Sequence, residues 1–244
     1  HRDLHSFPTR RSSDLACLPE TTYTVWQNLF SCLPDAGSVN LAAGETLLVH
    51  GGTSGIGSIA TQLAKARGCK VIATAGTEDK VRQCVEVFGA DVAFNYNSTS
   101  NQSHWSQQVK DFILSDTNGG DGVDVVLDMV GGEYLQHNVN VLGTKGRLRV
   151  VGFMGGTPIS TKVNMLRVLL KQISISGSVL RSRPIELKRG LTKEIEKHVL
   201  PLVQAGVVAP HLYRAFDLST EGSVNNAMDL METSTHVGKI VFKL

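Results

Sequence analysis

The chain has 244 residues, of which 41% are hydrophobic and 19% charged, and its formal net charge is +2. This length suits one large domain, or one domain with a smaller part, around a sizeable core. The weak charge gives no strong field for nucleic acid or an anionic membrane, and no apolar run approaches the roughly 18 residues of a membrane span. Four cysteines without C-x-x-C spacing predict free thiols in a reducing, cytoplasmic compartment and form no zinc motif.

The first fifteen residues differ from the rest of the chain. They are polar, rich in arginine and serine, without hydrophobic periodicity and without an initiator Met. We interpret residues 1–15 as a non-native prefix, similar to translated sequencing adapter, and leave them out of the fold prediction.

From Ala16 onward, strand and helix patterns alternate, which is typical of a doubly wound parallel α/β sheet. A leading helix is predicted over residues 19–30. The predicted strands cover residues 46–50, 70–74, 91–95, 123–129, 147–151 and 173–176. The predicted helices between them cover residues 55–67, 78–88, 104–114 and 133–142.

The pattern changes after about Pro184. The elements predicted there are a helix over 191–204, a strand over 212–216, a short helix over 219–232 and a final strand over 239–242. We therefore predict a Rossmann domain over residues 16–184 and an appended part, not another βα unit, over 185–244.

A glycine-rich turn follows the first predicted strand and opens an amphipathic helix. Its Gly55-x-Gly57-x-x-Ala60 pattern fits the dinucleotide fingerprint G-x-G-x-x-G/A. Gly55 allows a tight turn, Gly57 lets backbone amides approach a pyrophosphate, and Ala60 lets the helix pack close to the strand. The helix N-terminus adds free N–H groups and a partial positive charge. A purely structural glycine turn is the alternative explanation.

The end of the second predicted strand decides which cofactor the turn would hold. NAD-binding proteins place an Asp or Glu there, about twenty residues after the fingerprint, on the ribose 2′-hydroxyl. This chain has Ala75-Gly76-Thr77 instead, with Lys80 one helical turn on, which favours the 2′-phosphate of NADPH. As an alternative, Thr77 is only a helix cap and Lys80 only solvated, and the neighbouring acids Glu78 and Asp79 keep NAD open.

Glycine recurs where the predicted strands end. Ligands of such sheets bind outside the carboxyl ends of the strands, and close approach of a ligand favours glycine there. The strand ends in this chain are Gly51-Gly52, Ala75-Gly76-Thr77, Tyr96, Val130-Gly131 and Gly152 to Gly156.

Taken together, these segments resemble the quinone oxidoreductase branch of the medium-chain reductases, over about residues 16–244. The resemblance is carried by Leu18-Pro19-Glu20 with Thr24-Val25-Trp26, His50 to Gly57, Thr74 to Thr77 with Lys80, Asn95-Tyr96, Leu127 to Gly132, Met154-Gly155-Gly156, Leu180 to Arg183 and Gly238 to Val241.

The resemblance implies a role for each part of the cofactor site. The nicotinamide would lie near Thr24, the pyrophosphate on the glycine turn, the 2′-phosphate at Lys80, and the adenosine beside Tyr96. The complete predicted cofactor-binding set is Thr24, Gly52, Thr53, Gly55, Ile56, Gly57, Gly76, Thr77, Lys80, Tyr96, Val130, Phe153, Met154 and Gly155.

The resemblance also implies an activity: NADPH-dependent, zinc-independent transfer of a hydride, or of single electrons, to a quinone. It names no catalytic residue in this chain. It further implies a homodimer formed through the strand near Ile173–Ser178. The weak net charge and the lack of an aromatic–basic stripe argue against a nucleic-acid partner, and no segment predicts a membrane partner. An enoyl-thioester or alkenal reductase is the alternative enzyme, and a nucleotide- or RNA-binding module is the non-catalytic alternative.

Members of this branch carry a large substrate domain, resembling a GroES barrel, before the leading helix. Only fifteen unrelated residues precede that helix here, so residues 185–244 are expected to be the C-terminal remnant of a split catalytic domain. For such a fragment we expect weak or absent turnover. We also expect exposed apolar surface on residues 191–202 and on the final strand.

Overall fold

The structure is a computed structural model that describes residues 12–97, 104–116, 120–156 and 162–244. Within these ranges the strands are β1 (Thr46–Val49), β2 (Lys70–Ala75), β3 (Val92–Asn95), β4 (Val123–Asp128), β5 (Leu142–Val150), β6 (Ser174–Gly177), β7 (Leu212–Asp217) and β8 (Lys239–Lys243). The helices are α1 (Ser12–Leu15), α2 (Pro19–Leu29), α3 (Gly55–Ala66), α4 (Glu78–Glu86), α5 (Trp105–Ser115), α6 (Tyr134–Val141), α7 (Met165–Leu170), α8 (Ile185–His198), α9 (Leu200–Gln204) and α10 (Ser223–Glu232). Residues 1–11 of the predicted prefix lie outside the described residues, and its foreign origin stays a prediction.

Six parallel strands form one sheet in the order β3-β2-β1-β4-β5-β6. This order confirms the predicted doubly wound fold. The central strands β1 and β4 are almost completely buried, which suits their nearly continuous apolar sequences. The order of the strands reverses between β1 and β4, so their carboxyl ends open the crevice in which such folds bind ligands.

Helices cover both faces of the sheet. Leu47 and Val49 of β1 point into a core shared with α2, α3 and α8, whereas Leu48 points into a core shared with α5 and α6. This alternation follows from the two-residue period of a strand and makes β1 the centre of a three-layer structure.

The C-terminal helical region differs from its prediction as one helix over 191–204. Helix α8 already begins at Ile185 and ends at His198, and α9 is a separate helix. Pro201 explains the interruption, because in a continuous helix proline donates no backbone hydrogen bond and its ring clashes with the carbonyl group of the residue four positions earlier. Proline at the start of α9 is, by contrast, well tolerated.

The expected apolar exposure of residues 191–202 is wrong for most of that segment. Leu191, Ile195 and Val199 are buried in the core that contains α2 and α3, while Leu200 is 40% exposed. On the final strand, the aromatic ring of Phe242 is 41% exposed. Helices α8 and α9 therefore share the main core, although they follow the predicted domain boundary at residue 184.

Two further elements depart from their predictions. Strand β5 begins at Leu142 instead of residue 147, because Leu142 pairs with Val123 before an irregularity in the register. Helix α7 is not predicted, since its sequence MLRVLL is short and lacks a polar face. Strands β7 and β8 form a separate, two-stranded parallel sheet.

Candidate functional site

The glycine turn connects β1 to α3 as the fingerprint predicts. A Cβ at Gly57 would lie 2.2 Å from the carbonyl oxygen of Gly51, so only glycine lets the helix approach the strand this closely. The Ser54 hydroxyl caps α3 by accepting a hydrogen bond from the Gly57 N–H at 2.9 Å. The N–H groups of Gly55 and Ile56 have no intrahelical acceptor, which leaves them available to an anion.

The start of β8 packs directly on this turn. The N–H of Gly238 donates to the carbonyl oxygen of Thr53 at 2.8 Å. The Lys239 side chain crosses the N-terminus of α3, since a Cβ at Gly55 would lie 2.5 Å from Lys239 Cδ. Lys239 Nζ donates to Glu20 Oε2, 219 positions away in the chain, at 2.8 Å. Sequence reasoning assigned no role to Lys239, because no local pattern places it beside the turn.

A cavity of about 580 Å³ lies at the carboxyl ends of β2 and β3. It brings together the four residues predicted for the adenosine half: Gly76, Thr77, Lys80 and Tyr96. The opposite wall comes from the C-terminal part of the chain and consists of His211, Tyr213, Thr233, Ser234, Thr235 and Val237. This wall could not be predicted from the sequence.

Hydrogen bonds within the protein hold the polar side chains of this cavity. Lys80 Nζ donates to the carbonyl oxygen of Ser234 at 2.5 Å, and partial burial lowers the pKa of Lys80. The Thr77 hydroxyl caps α4 by accepting from the Lys80 N–H at 3.2 Å. Asp79 also lines the cavity, but its carboxylate accepts hydrogen bonds from the side chains of Arg82 and Gln83.

Two adjoining cavities lie on the nicotinamide side of the predicted site. One, of about 780 Å³, is lined by Thr24 and Ile56, and the other, of about 760 Å³, by Phe153. They adjoin because Val151, Ser178 and Val179 line both. Of the other predicted residues on this side, Met154 and Gly155 lie in the loop after β5 and Val130 lies in the turn after β4. The loop and the turn are joined, because the N–H groups of Met154 and Gly155 donate to the carbonyl oxygens of Met129 and Val130.

A buried carboxylate holds the turn after β4. Asp128 is fully buried, and its Oδ1 accepts from the backbone N–H groups of Val130 at 2.7 Å and Gly131 at 2.9 Å. Its Oδ2 accepts from Asn138 Nδ2 at 2.8 Å, and Asn138 Oδ1 lies 2.7 Å from His50 Nε2. The turn is thereby tied to the end of β1.

This network fixes the hydrogen positions of its members. A carboxylate only accepts, so Asn138 presents its amide nitrogen to Asp128 and its oxygen to His50. His50 Nε2 must then carry the proton, and Nδ1 accepts from the Thr74 hydroxyl at 3.0 Å. Burial lowers the pKa of His50, which keeps the ring neutral. Sequence reasoning missed this network, although His50 and Asp128 are polar residues at the ends of buried apolar strands.

The described residues contain no group of three or more His, Cys, Asp or Glu side chains arranged to hold a metal ion. Cys17, Cys69 and Cys84 are buried free thiols and Cys32 is exposed. Burial raises the pKa of Cys84 to about 12. In the same ranges, no helix is both long and apolar enough to cross a membrane.

The fold and the glycine turn define a doubly wound domain of the dinucleotide-binding class. Residues 55–199 match the family described as zinc-binding dehydrogenase, and the chain belongs to this family, within the medium-chain dehydrogenase/reductase superfamily. The quinone oxidoreductase of Rattus norvegicus is 30% identical over 212 residues, which cover 85% of this chain and 57% of the rat protein.

Solved structures have the same fold. A NAD-dependent alcohol dehydrogenase superposes with a TM-score of 0.75 at 26% identity, covering 95% of this chain and 59% of its own. The quinone oxidoreductase of Thermus thermophilus, solved alone and with NADPH, superposes with a TM-score of 0.75 at 22% identity, covering 95% of this chain and 66% of its own. The chain thus spans 57–66% of the length of these relatives.

Proposed function

We propose that this chain is the NADPH-binding part of a zinc-independent quinone oxidoreductase. The observation that carries the proposal is the cavity at the end of β2, where Thr77, Lys80 and Tyr96 surround the position at which NAD-binding proteins place an acid. Residues 16–184 form its dinucleotide-binding domain and residues 185–244 the C-terminal part of its catalytic domain. The free thiols suit a cytoplasmic enzyme.

The residues present fit the two charged parts of NADPH. The pyrophosphate would lie on the free N–H groups of Gly55 and Ile56, with the Lys239 ammonium group nearby. The 2′-phosphate would take the place of the Ser234 carbonyl oxygen as acceptor for Lys80, with the Thr77 hydroxyl beside it. The adenosine would lie against Tyr96, which is 42% exposed in this cavity.

When bound, NADPH supplies the hydride, and the protein's task is to orient the nicotinamide and exclude water. Thr24 and Ile56 line one side of the space for the nicotinamide and Phe153 the other. The Asp128 carboxylate holds the turn at Val130, which is bonded to the loop that contains Phe153. No side chain of this chain is assigned as a proton donor, since a reduced quinone oxygen can take its proton from solvent.

The first test measures anaerobic oxidation of NADPH by 1,4-benzoquinone, with crotonyl-CoA as the competing acceptor. The proposal predicts faster oxidation by the quinone. Because the chain spans 57–66% of its relatives, we propose that its own turnover is weak, so single-turnover conditions are needed. Oxidation by crotonyl-CoA alone would favour an enoyl-thioester reductase instead.

We propose that two copies associate through β6. This strand is at the edge of the sheet, and Ile175 on it is 42% exposed. The neighbouring helix α7 adds four apolar side chains that are at least 63% exposed: Met165, Leu166, Leu169 and Leu170. Sedimentation equilibrium should give a dimer, and Ile175→Lys a monomer. A monomeric parent chain contradicts this proposal.

A further inference from the structure

Arg149 is a buried cation in the six-stranded sheet. Its side chain, on β5, is only 3% exposed. Its Nε donates to Asn28 Oδ1 at 2.5 Å and one terminal nitrogen donates to Ser176 Oγ at 3.0 Å. The other terminal nitrogen, Nη2, is buried without a hydrogen-bond acceptor. No ion pair joins Arg149 to any carboxylate of the described residues.

A second guanidinium lies next to it. Nε of Arg183 is also buried without an acceptor, and Arg183 forms no ion pair with the described carboxylates. Both groups converge on Gly37, where a Cβ would lie 3.5 Å from Arg149 Nη2 and 3.9 Å from Arg183 Nη2. Burial and the charge of Arg183 lower the pKa of Arg149.

Two adjacent cations without a counter-charge are unfavourable here, because Arg149 is buried and Arg183 is half-buried. A buried charge is costly unless it is paired, and like charges at short range add repulsion. Asp35, in the same loop as Gly37, is an exposed carboxylate but pairs with neither arginine. The pair therefore needs an anion from outside the described residues.

We propose that Arg149 and Arg183 form a binding site for an oxyanion, either a carboxylate or a phosphate group, that enters beside Gly37. The planar guanidinium groups present several donors in a geometry that matches such anions. Gly37 has a φ of +66° and no side chain, which leaves the space in front of the two nitrogens open. This site is separate from the glycine turn, and Arg183 also lines the cavity that contains Phe153.

The test measures Tm of the full chain without nucleotide, in chloride, acetate or phosphate at fixed ionic strength. Acetate or phosphate, or both, should raise Tm in a saturable manner, and the effective one identifies the class of oxyanion. Arg183→Met should raise the apparent Kd at least about tenfold, because a charge-assisted hydrogen bond is lost. Arg189→Met is the matched control, since Arg189 is 67% exposed and pairs with Glu186. It should behave like the parent chain.

Three results would overturn the site. The first is the same anion effect in Arg183→Met as in the parent chain. The second is no rise of Tm in either acetate or phosphate relative to chloride. The third is Asp35→Asn lowering Tm in chloride, which would make Asp35 the counter-ion of the arginine pair. The Tm of Arg149→Met should not rise with the anion. If Arg149→Met does not fold, the result for Arg183→Met decides whether the proposed site exists.

Discussion

Lys80 and Ser234 are joined by a hydrogen bond of 2.5 Å, from the ammonium group on α4 to a backbone carbonyl oxygen that follows α10. The bond connects the predicted 2′-phosphate position to the C-terminal part of the chain. The cavity between them is therefore formed by two distant segments. A phosphate bound to Lys80 would replace this contact, so we expect nucleotide binding to alter the environment of residues 233–235.

Lys239 tests the role of the C-terminal strand at the glycine turn. Replacing it with glutamine should weaken binding of NADPH and NADH equally, by roughly tenfold, because both cofactors carry the pyrophosphate. The fold should persist, since the pair with Glu20 is exposed and such pairs contribute little. Fluorescence titration checks both affinities, with Lys193→Gln on α8 as the control. Unchanged affinities would remove Lys239 from the site.

Gly57→Ala should disrupt the turn itself. The new methyl group would lie 2.2 Å from the Gly51 oxygen, so the helix must shift away from β1. We expect the free energy of unfolding to fall by about 2 kcal/mol or more, together with loss of nucleotide binding. The matched control is Gly120→Ala, whose Cβ would have no neighbour closer than 3.9 Å among the residues that the structure describes. Equal stability of the two variants in urea denaturation would contradict the close approach of α3 to the end of β1 at Gly57.

Exchanging the Asp and Asn side chains at positions 128 and 138 should restore the hydrogen bonds that a single substitution in the buried network removes. Asp128→Asn should lower the free energy of unfolding by about 2 kcal/mol. The substitution replaces one carboxylate oxygen, an acceptor for the turn or for Asn138, with an NH₂ group, which can only donate. Adding Asn138→Asp restores every partner: residue 128 still accepts from the turn, and residue 138 accepts from His50. Urea denaturation should show partial recovery in the double variant. Additive losses would show that the hydrogen-bond directions are wrong.

Acid should destabilise the fold as the pH falls from about 7 to about 5.5. Burial lowers the pKa of five histidines: His50, His104, His137, His211 and His236. The unfolded chain then binds more protons than the folded protein near and below about pH 6.5, so stability falls as the pH decreases through this window. Urea denaturation at pH values across this window checks the prediction. Stability that is constant or rises toward the acidic end is the contrary result.

Local patterns predicted the sheet well, because the two-residue period of the strands and the glycine fingerprint are properties of neighbouring residues. The six-stranded parallel sheet confirms the predicted doubly wound fold. The break between α8 and α9 could also have been predicted from Pro201, but the apolar spacing around it favoured one continuous helix. Long-range contacts carry no such signal: Lys239 beside Gly55 and the Arg149–Arg183 pair appear only in the folded chain.

Calorimetric titration of the full chain with NADPH and with NADH tests the central claim most directly, in parallel with Lys80→Ala. We predict that the parent chain binds NADPH more tightly, and that the variant loses roughly ten- to hundredfold in NADPH affinity while its NADH affinity is unchanged. Equal binding of both nucleotides by the parent chain, or a preference for NADPH that survives in Lys80→Ala, would contradict the account.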